Sequence, residues 1–241
     1  MKDASRLHLI PTPLKRPLEL VKDLKSQPVW ELAELQSQNR WTNAQSLTGL
    51  GQNSDKLRNI AENLEKIKEE AGEILKDISE SDGAWVEDKI NVLESGSYFN
   101  RGLYLYGKKK HETCSKTPSL CKILKKFPDT SNCKKCISKF VLIRPKTVLV
   151  PRVGPTNAKL RAVLPVSVPQ GNVGIKVADK ELSLEEGKIV IIDDSYENNL
   201  WNETEDDLLV LIIDFHHPDL SDREKKSGTF TDYVKNKFVT Y

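Results

Sequence analysis

The second half of the chain is a succession of short runs rich in β-branched and aliphatic residues, and this feature restricts the fold most. The runs are separated by Pro, Gly, Asn and Asp, which favour turns. Several short strands at close spacing are typical of an antiparallel sandwich or barrel. The sequence has neither a Gly-rich phosphate loop nor alternating strands and helices, which disfavours nucleotide-binding α/β folds. The predicted strands are Phe140–Ile143, Val148–Val150, Leu160–Val168, Val173–Val177, Ile189–Ile192 and Leu208–Ile213.

The first half has a helical pattern, which is clearest over residues 54–78. Apolar residues recur there at spacings of three and four, which places one apolar stripe on a helix. Asn53 or Ser54 is the expected N-cap. A coiled-coil seam is the alternative, but about three heptads are few for one, so we favour a helix lying on the sheet. The stripe consists of Leu57, Ile60, Leu64, Ile67, Ala71, Ile74 and Ile78.

The composition limits metal chemistry. The 241 residues include only four His, so a site that needs two imidazoles from separate strands has few ways to form. No apolar run approaches the roughly 20 residues of a membrane helix, so we predict no membrane span. The N-terminus lacks the apolar region of a signal peptide. The histidines are His8, His111, His216 and His217.

Charge is segregated along the chain. Residues 108–146 contain twelve Lys and Arg, whereas residues 179–207 contain eleven Asp and Glu. A basic run can bind nucleic acid or acidic polysaccharide. Few aromatic residues and no RNA-binding signature accompany this one, so we expect no nucleic-acid partner. We expect a solvated surface that the acidic segment partly neutralises.

Four cysteines form two pairs, Cys114 with Cys121 and Cys133 with Cys136. They could form two disulfides, a four-thiolate zinc site or free thiols. The first spacing is loose for a zinc knuckle, and the C-x-x-C lacks the strand–helix context of a redox motif, so disulfides are favoured. Asn202 begins a glycosylation sequon, Asn-Glu-Thr.

From about Lys25 onward the chain resembles the aspartyl/asparaginyl β-hydroxylase family. The resemblance implies a fold that is mainly β with α: a double-stranded β-helix (jelly-roll, cupin-like) core with N-terminal helices packed against it. The segments that carry it follow the family's order and spacing. They are LKSQPVW (24–30), CSKTPSLCKILKKFPDTSNC (114–133), GPTNAKLR (154–161), EEGKIVIIDDSYENNLW (185–201) and DFHHPDL (214–220).

The resemblance also divides the chain. Residues 1–24 would be an N-terminal extension and residues 25–241 the hydroxylase-like domain. Within the domain, we expect a helical part at about 25–100, a β-helix core at about 101–220 and a C-terminal tail at 221–241.

Members of this family are iron(II)- and 2-oxoglutarate-dependent dioxygenases that hydroxylate Asp or Asn side chains in disulfide-bearing domains. The best-known members work in the secretory pathway. The resemblance therefore favours a Cys114–Cys121 disulfide and a secreted or lumenal location, although no signal peptide is visible.

The chain differs from the family at the residues that bind iron and 2-oxoglutarate. The positions of the two iron-binding His hold Arg152 and Asn198. A guanidinium has no free lone pair, and an Asn carbonyl is a poor substitute for imidazole. The family's polar 2-oxoglutarate positions also carry apolar residues, which cannot bind a dicarboxylate. We therefore predict that the iron and 2-oxoglutarate sites are lost and that there are no catalytic or metal-ligating residues. The polar positions hold Val141, Val163 and Leu208, and Ile143 stands at another position that lines the cosubstrate site.

The remaining cations indicate binding. Arg161 matches a family Arg that meets the acidic side chain of the substrate, and Lys159 shares its face of the strand. We predict a pseudoenzyme that binds a small amphipathic or anionic ligand, or an acidic peptide or protein. The expected ligand-binding residues are Arg161, Arg152, Lys159, Val141, Ile143, Val163, Asn198 and Leu208.

Several alternatives remain open. The cations could form structural ion pairs, and the protein could act through its surface. The chain could also be an active iron hydroxylase or a metal-free enzyme on the same fold. The acids Asp193, Asp194 and Glu197 match a structural turn of the family, and His216 and His217 should point to opposite faces of a strand, which disfavours a shared metal ion.

Overall fold

A computed structural model of the chain describes residues 17, 19–35, 52–79, 84–88 and 96–226. The helices are α1 (Gln52–Glu62), α2 (Leu64–Leu75), α3 (His111–Lys116), α4 (Pro118–Lys125), α5 (Pro128–Ser131) and α6 (Asp222–Lys226), with 3-10 turns at Leu32–Leu35 and Lys76–Ser79. The strands are β1 (Val29–Trp30), β2 (Val86–Glu87), β3 (Tyr98–Leu105), β4 (Lys108–Lys109), β5 (Ile137–Ile143), β6 (Thr147–Val148), β7 (Lys159–Ser167), β8 (Val173–Val177), β9 (Lys180–Ser183), β10 (Val190–Ile192), β11 (Asn198–Asn202) and β12 (Leu208–His216).

The strands form two antiparallel sheets. The larger sheet has the order β1-β10-β7-β12-β5-β3-β2, with β4 paired to β3, and the smaller has the order β6-β11-β8-β9. Side chains from both sheets share one apolar cluster, so the sheets pack face to face. This is the predicted jelly-roll core.

Successive side chains along the strands of the larger sheet point to opposite faces, so the sheet separates two apolar cores. Phe140 and Leu142 of β5 pack with the helices in what we call the outer core. Val141 and Ile143 face the smaller sheet in the inner core, where they meet residues such as Ile175 and Leu200. The inner core is therefore the position in which a ligand site of this fold would lie.

The predicted helix over residues 54–78 is divided at Asn63, so the prediction of one helix is wrong there. The Asn63 side chain donates a hydrogen bond to the Asn59 carbonyl at 2.7 Å, and this carbonyl lies one turn back, where the helix backbone would otherwise bond. The first helix also begins at Gln52, before the predicted cap. The apolar stripe is nevertheless buried on the sheet in the outer core, as favoured over a coiled coil.

The boundary between helical part and β core is less sharp than predicted. Helices α3, α4 and α5 lie inside the range expected to be β core, and β1 and β2 lie inside the range expected to be helical. Strand β3 was not predicted because Asn100, Arg101 and Gly102 interrupt its apolar pattern. Arg101 is fully buried and donates to Asp77 at 2.7 Å. The charged residue that interrupts the apolar pattern therefore joins β3 to the helical layer.

Residues 19–24, which the resemblance assigned to the extension, contact the domain. Glu19 forms a parallel bridge with Thr156, and the Val21 amide donates to Asn157 Oδ1 at 2.8 Å. Within the described ranges, no helix is long and apolar enough to cross a membrane.

Both predicted disulfides are confirmed. Cys114–Cys121 joins α3 to α4, and Cys133–Cys136 closes the turn that precedes β5. The zinc and free-thiol alternatives are therefore wrong.

The geometry of Asn202 counts against the glycosylation predicted from its sequon. The residue is 0% exposed, and its Nδ2 donates to the carbonyls of Ile143, Arg144 and Asp206 at 2.8–3.2 Å. A glycan on Nδ2 would displace these bonds. We expect peptide mass spectrometry of folded protein from a secretory host to find Asn202 unmodified, and a glycan at this residue would contradict the described packing.

Candidate functional site

The candidate site lies at one end of the inner core, where inward-facing side chains change from apolar to charged. On β7, Lys159 and Arg161 alternate with outward-facing residues and precede Val163. On β12, Asp214 lies two residues after Ile212. The strands are in register so that Asp214 lies opposite Arg161. The sheet thus collects charges of both signs at this end.

Two cations and two carboxylates form a buried network there. Lys159 Nζ lies 2.7 Å from Asp194 Oδ2 and 2.9 Å from Asp214 Oδ2. Arg161 Nε lies 2.7 Å from Asp214 Oδ1, and Arg161 Nη2 lies 3.0 Å from Asp194 Oδ2. Burial opposes the charged form of Asp214, but Arg161 and Lys159 outweigh it and hold the pKa of that carboxyl below its ordinary value. Two of the three cations predicted to bind ligand, Lys159 and Arg161, therefore have carboxylate partners within the chain.

Asp194 is held by the turn that the motif GPTN begins. The Gly154 amide donates to the Asp194 carbonyl, and a Cβ on Gly154 would lie 2.5 Å from the Asp194 carboxyl carbon. The neighbouring Asp193 accepts a hydrogen bond from the Ser195 amide, and burial raises its pKa to about 6. The acids of this segment are thus used in a turn and in the buried network.

Arg152 and Asn198 lie opposite each other in an antiparallel bridge. Each amide donates to the carbonyl of the other residue, at 2.9 and 2.8 Å. Side chains at these two positions are therefore neighbours, as two ligands of one metal must be. The Asn198 Nδ2 donates to three backbone carbonyls, those of Arg152, Asp194 and Tyr196.

These residues do not fit iron(II). A guanidinium carries a permanent positive charge and no lone pair, and the Asn198 amide is oriented by its donor bonds to the backbone. Among the described residues, no group of three or more His, Cys, Asp or Glu comes together in a way that could hold a metal. His216 pairs with Asp129 and His217 with the Lys25 carbonyl, so the two histidines serve different contacts.

Three residues that were not predicted from the sequence form a hydrogen-bonded group that reaches Arg152: Tyr98, Asn100 and Lys139. Lys139 Nζ lies 3.3 Å from Tyr98 Oη and 2.5 Å from Asn100 Oδ1, and Arg152 Nη2 lies 3.4 Å from Tyr98 Oη. Lys139 could have been found, because it directly precedes the predicted strand Phe140–Ile143 and lies two residues before Val141. Tyr98 and Asn100 lie on β3, which carried no clear strand signal.

The same contacts shift the acidity of this group. Burial lowers the pKa of Lys139, and Arg152 and Arg161 lower it further. Burial alone would raise the pKa of Tyr98, but the charges of Lys139 and Arg152 outweigh it and lower that pKa to about 8.

We therefore expect one tyrosinate to form near pH 8 in the folded protein. An unfolded tyrosine titrates at about pH 10, so the contribution of Tyr98 to the free energy of unfolding is absent below pH 8 and grows up to pH 10. Near-ultraviolet titration should show this early step in the wild type and not in Tyr98→Phe. Identical curves for the two proteins would contradict the described environment.

The four positions that the resemblance assigned to 2-oxoglutarate lie together in the inner core. All four side chains are 0% exposed and pack with apolar residues of both sheets. Aliphatic groups offer no hydrogen bond to a dicarboxylate. These residues are Val141, Ile143, Val163 and Leu208.

Two facing antiparallel sheets, with helices on the outer face of the larger one, define a double-stranded β-helix, or jelly-roll, fold. The chain belongs to the aspartyl/asparaginyl beta-hydroxylase family, whose sequence model matches residues 61–218.

Individual proteins are similar to this chain over different parts of its length. Human aspartyl/asparaginyl beta-hydroxylase is 29% identical over 213 residues, which cover 88% of this chain and 26% of the human protein. The chain thus spans about a quarter of that relative's length. The ornithine lipid ester-linked acyl 2-hydroxylase of Rhizobium tropici is 30% identical over 115 residues, covering 47% of this chain and 39% of the relative. Among solved structures, a Pseudomonas putida prolyl-4-hydroxylase matches with a TM-score of 0.43 and 13% identity, over 64% of this chain and 87% of that one.

Proposed function

We propose that this chain is a catalytically inactive member of the hydroxylase family that binds an acidic peptide or protein instead of hydroxylating one. The proposal is carried by the guanidinium of Arg152, which lies opposite Asn198 in an antiparallel bridge and which the resemblance assigns to the position of an iron ligand. A fixed positive charge repels iron(II) and attracts an anion. Within the described part of the chain, no carboxylate pairs with Arg152.

The surrounding charges support an anionic partner. Arg161 and Lys159 already share Asp194 and Asp214, whereas Arg152 contacts the Tyr98 phenol and lies over its ring. Partly buried charges are screened by salt much less than exposed ones. A carboxylate that reached Arg152 would therefore be bound more strongly than at an exposed cation.

The loss of the cosubstrate belongs to the same proposal. A 2-oxoglutarate molecule would meet aliphatic side chains where the family supplies a hydroxyl and a guanidinium, at Val141 and Leu208. Its carboxylates would lose their hydration without gaining a partner. Tight binding of 2-oxoglutarate in isothermal titration would contradict this part of the proposal.

A small amphipathic ligand is the second candidate. The name of the Rhizobium relative refers to an acyl substrate of that protein, and an acyl chain would suit the aliphatic residues of the inner core. Those residues are fully buried against one another, so the core would have to open to admit it. Arg152, by contrast, is only half-buried, so we favour the acidic partner.

We also propose a secreted or lumenal location. Two disulfides are compatible with an oxidising compartment, because cytosolic thiols are usually kept reduced. Secretion from cells, measured with the natural chain, tests this separately.

Titration with an aspartate- and glutamate-rich peptide tests the binding function. We expect Arg152→Gln to weaken binding by about tenfold or more, because a charge-assisted contact is lost. Arg144→Gln is the matched control, since it removes the same charge from a half-exposed pair with Asp207. Equal affinity in both variants would overturn the assignment of the site to Arg152.

A further inference from the structure

We infer that the end of the inner core at Arg152 is an oxyanion site for a single carboxylate, and that the Tyr98 hydroxyl occupies the place of the ligand oxygen. The inference rests on the proposed function and names the group that the site binds. It also means that the position at which the family holds a cation has become, in this chain, a position for an anion.

The lengths of the contacts to Tyr98 give the first argument. Its Oη lies 3.3 Å from Lys139 Nζ and 3.4 Å from Arg152 Nη2. Hydrogen bonds from a cation to a carboxylate are typically about 2.7–2.9 Å, and Lys159 reaches Asp194 in this same core at 2.7 Å. The hydrogen bonds from the two cations to the phenol are therefore long and weak, and a carboxylate oxygen could approach both cations more closely.

A buried donor gives the second, independent argument. Asn100 is 5% exposed, and its Nδ2 has no hydrogen-bond partner among the described residues. The other end of the same amide is fixed, because its Oδ1 accepts from Lys139. Buried donors are nearly always satisfied in folded proteins, and an exception requires an explanation. An acceptor brought by a ligand would supply it.

The chemistry of the donors defines the ligand class. Arg152, Lys139 and Asn100 Nδ2 are all donors, and a carboxylate has two oxygens that accept up to about four hydrogen bonds. In the pairing of β5 with β3, Val141 lies opposite Asn100 and Ile143 opposite Tyr98. Both aliphatic side chains are fully buried, so they leave room at this end only for a small group. An Asp or Glu side chain of a peptide meets both conditions.

Calorimetric titration of three proteins with an aspartate-rich peptide, and separately with inorganic phosphate, tests the inference. The proteins are the wild type, Tyr98→Phe and Asn100→Asp, each checked for folding by its thermal midpoint. We expect Tyr98→Phe to bind the peptide about tenfold more tightly, because a competing oxygen has been removed. We expect Asn100→Asp to bind at least tenfold more weakly, because it places a carboxylate beside Lys139. Tyr104→Phe removes a hydroxyl that lies on the same strand but in the outer core, and should match the wild type.

The outcomes separate the inference from the proposed function. If the wild type binds the peptide and Tyr98→Phe binds it no more tightly, the function stands and the role of Tyr98 is overturned. If phosphate binds more tightly than the peptide, the carboxylate class is overturned. If neither the wild type nor Tyr98→Phe binds the peptide, both the function and the inference fail.

Discussion

Replacement of Asp214 by Asn is expected to lower the free energy of unfolding by about 3–5 kcal/mol. Asp214 accepts two hydrogen bonds from Arg161 and pairs with Lys159, and both carboxylate oxygens are engaged. Without its charge, two buried cations would share Asp194 alone. Because the folded-state pKa of Asp214 is lowered, its contribution is present above about pH 4 and is lost as the pH falls through the folded value.

Chemical denaturation at neutral pH measures this loss, and Asp207→Asn provides the matched control. Asp207 forms an equally short pair with Arg144 at 2.6 Å, but both side chains are more than a third exposed. Such a pair contributes about 1 kcal/mol or less. A loss for Asp214→Asn as small as that for Asp207→Asn would show that the buried network does not stabilise the fold.

Restoration of the two imidazoles, as Arg152→His with Asn198→His, is expected to create a metal site. The two residues form one antiparallel bridge, so their side chains are neighbours, and imidazole suits Fe, Ni and Zn. We expect the double variant to bind about one Co²⁺ or Ni²⁺ per chain, with a visible ligand-field spectrum, and the wild type to bind none at this position.

The single variant Arg152→His is the control, because it supplies one imidazole and should bind more weakly than the pair. The double variant should still release no succinate from 2-oxoglutarate, since Val141 and Leu208 are unchanged. If the double variant bound no more metal than the wild type, Arg152 and Asn198 would not stand at the family's ligand positions.

Much of the fold could be predicted because the spacing of apolar residues along a strand or helix is a local signal in the sequence. Val173–Val177 was predicted with the observed bounds, and the apolar stripe of α1 and α2 identified the face that packs on the sheet. The division at Asn63 could not be predicted, since it depends on one side chain that bonds to the preceding turn. Strand β3 could not be predicted because Asn100 and Arg101 find their partners in distant segments.

The sequence predicted which residues belong to the candidate site but not which side chains they contact. Arg152 and Asn198 were identified through the resemblance, and the structure brings them into one bridge. The pairing of Arg161 with Asp214 depends on the register of β7 and β12, which no local pattern records. For the same reason, the contacts of Lys139 and Arg152 with the Tyr98 hydroxyl could not be predicted from the sequence.

We propose that this chain, although it belongs to the hydroxylase family, carries out no iron chemistry. The most direct measurement is succinate release from 2-oxoglutarate by the wild-type protein, with iron(II), oxygen and a disulfide-bearing peptide that contains Asp and Asn, and with an active family member assayed in parallel. We predict no succinate above the protein-free background. Iron-dependent succinate release that is abolished by a chelator would show that the chain is an active hydroxylase.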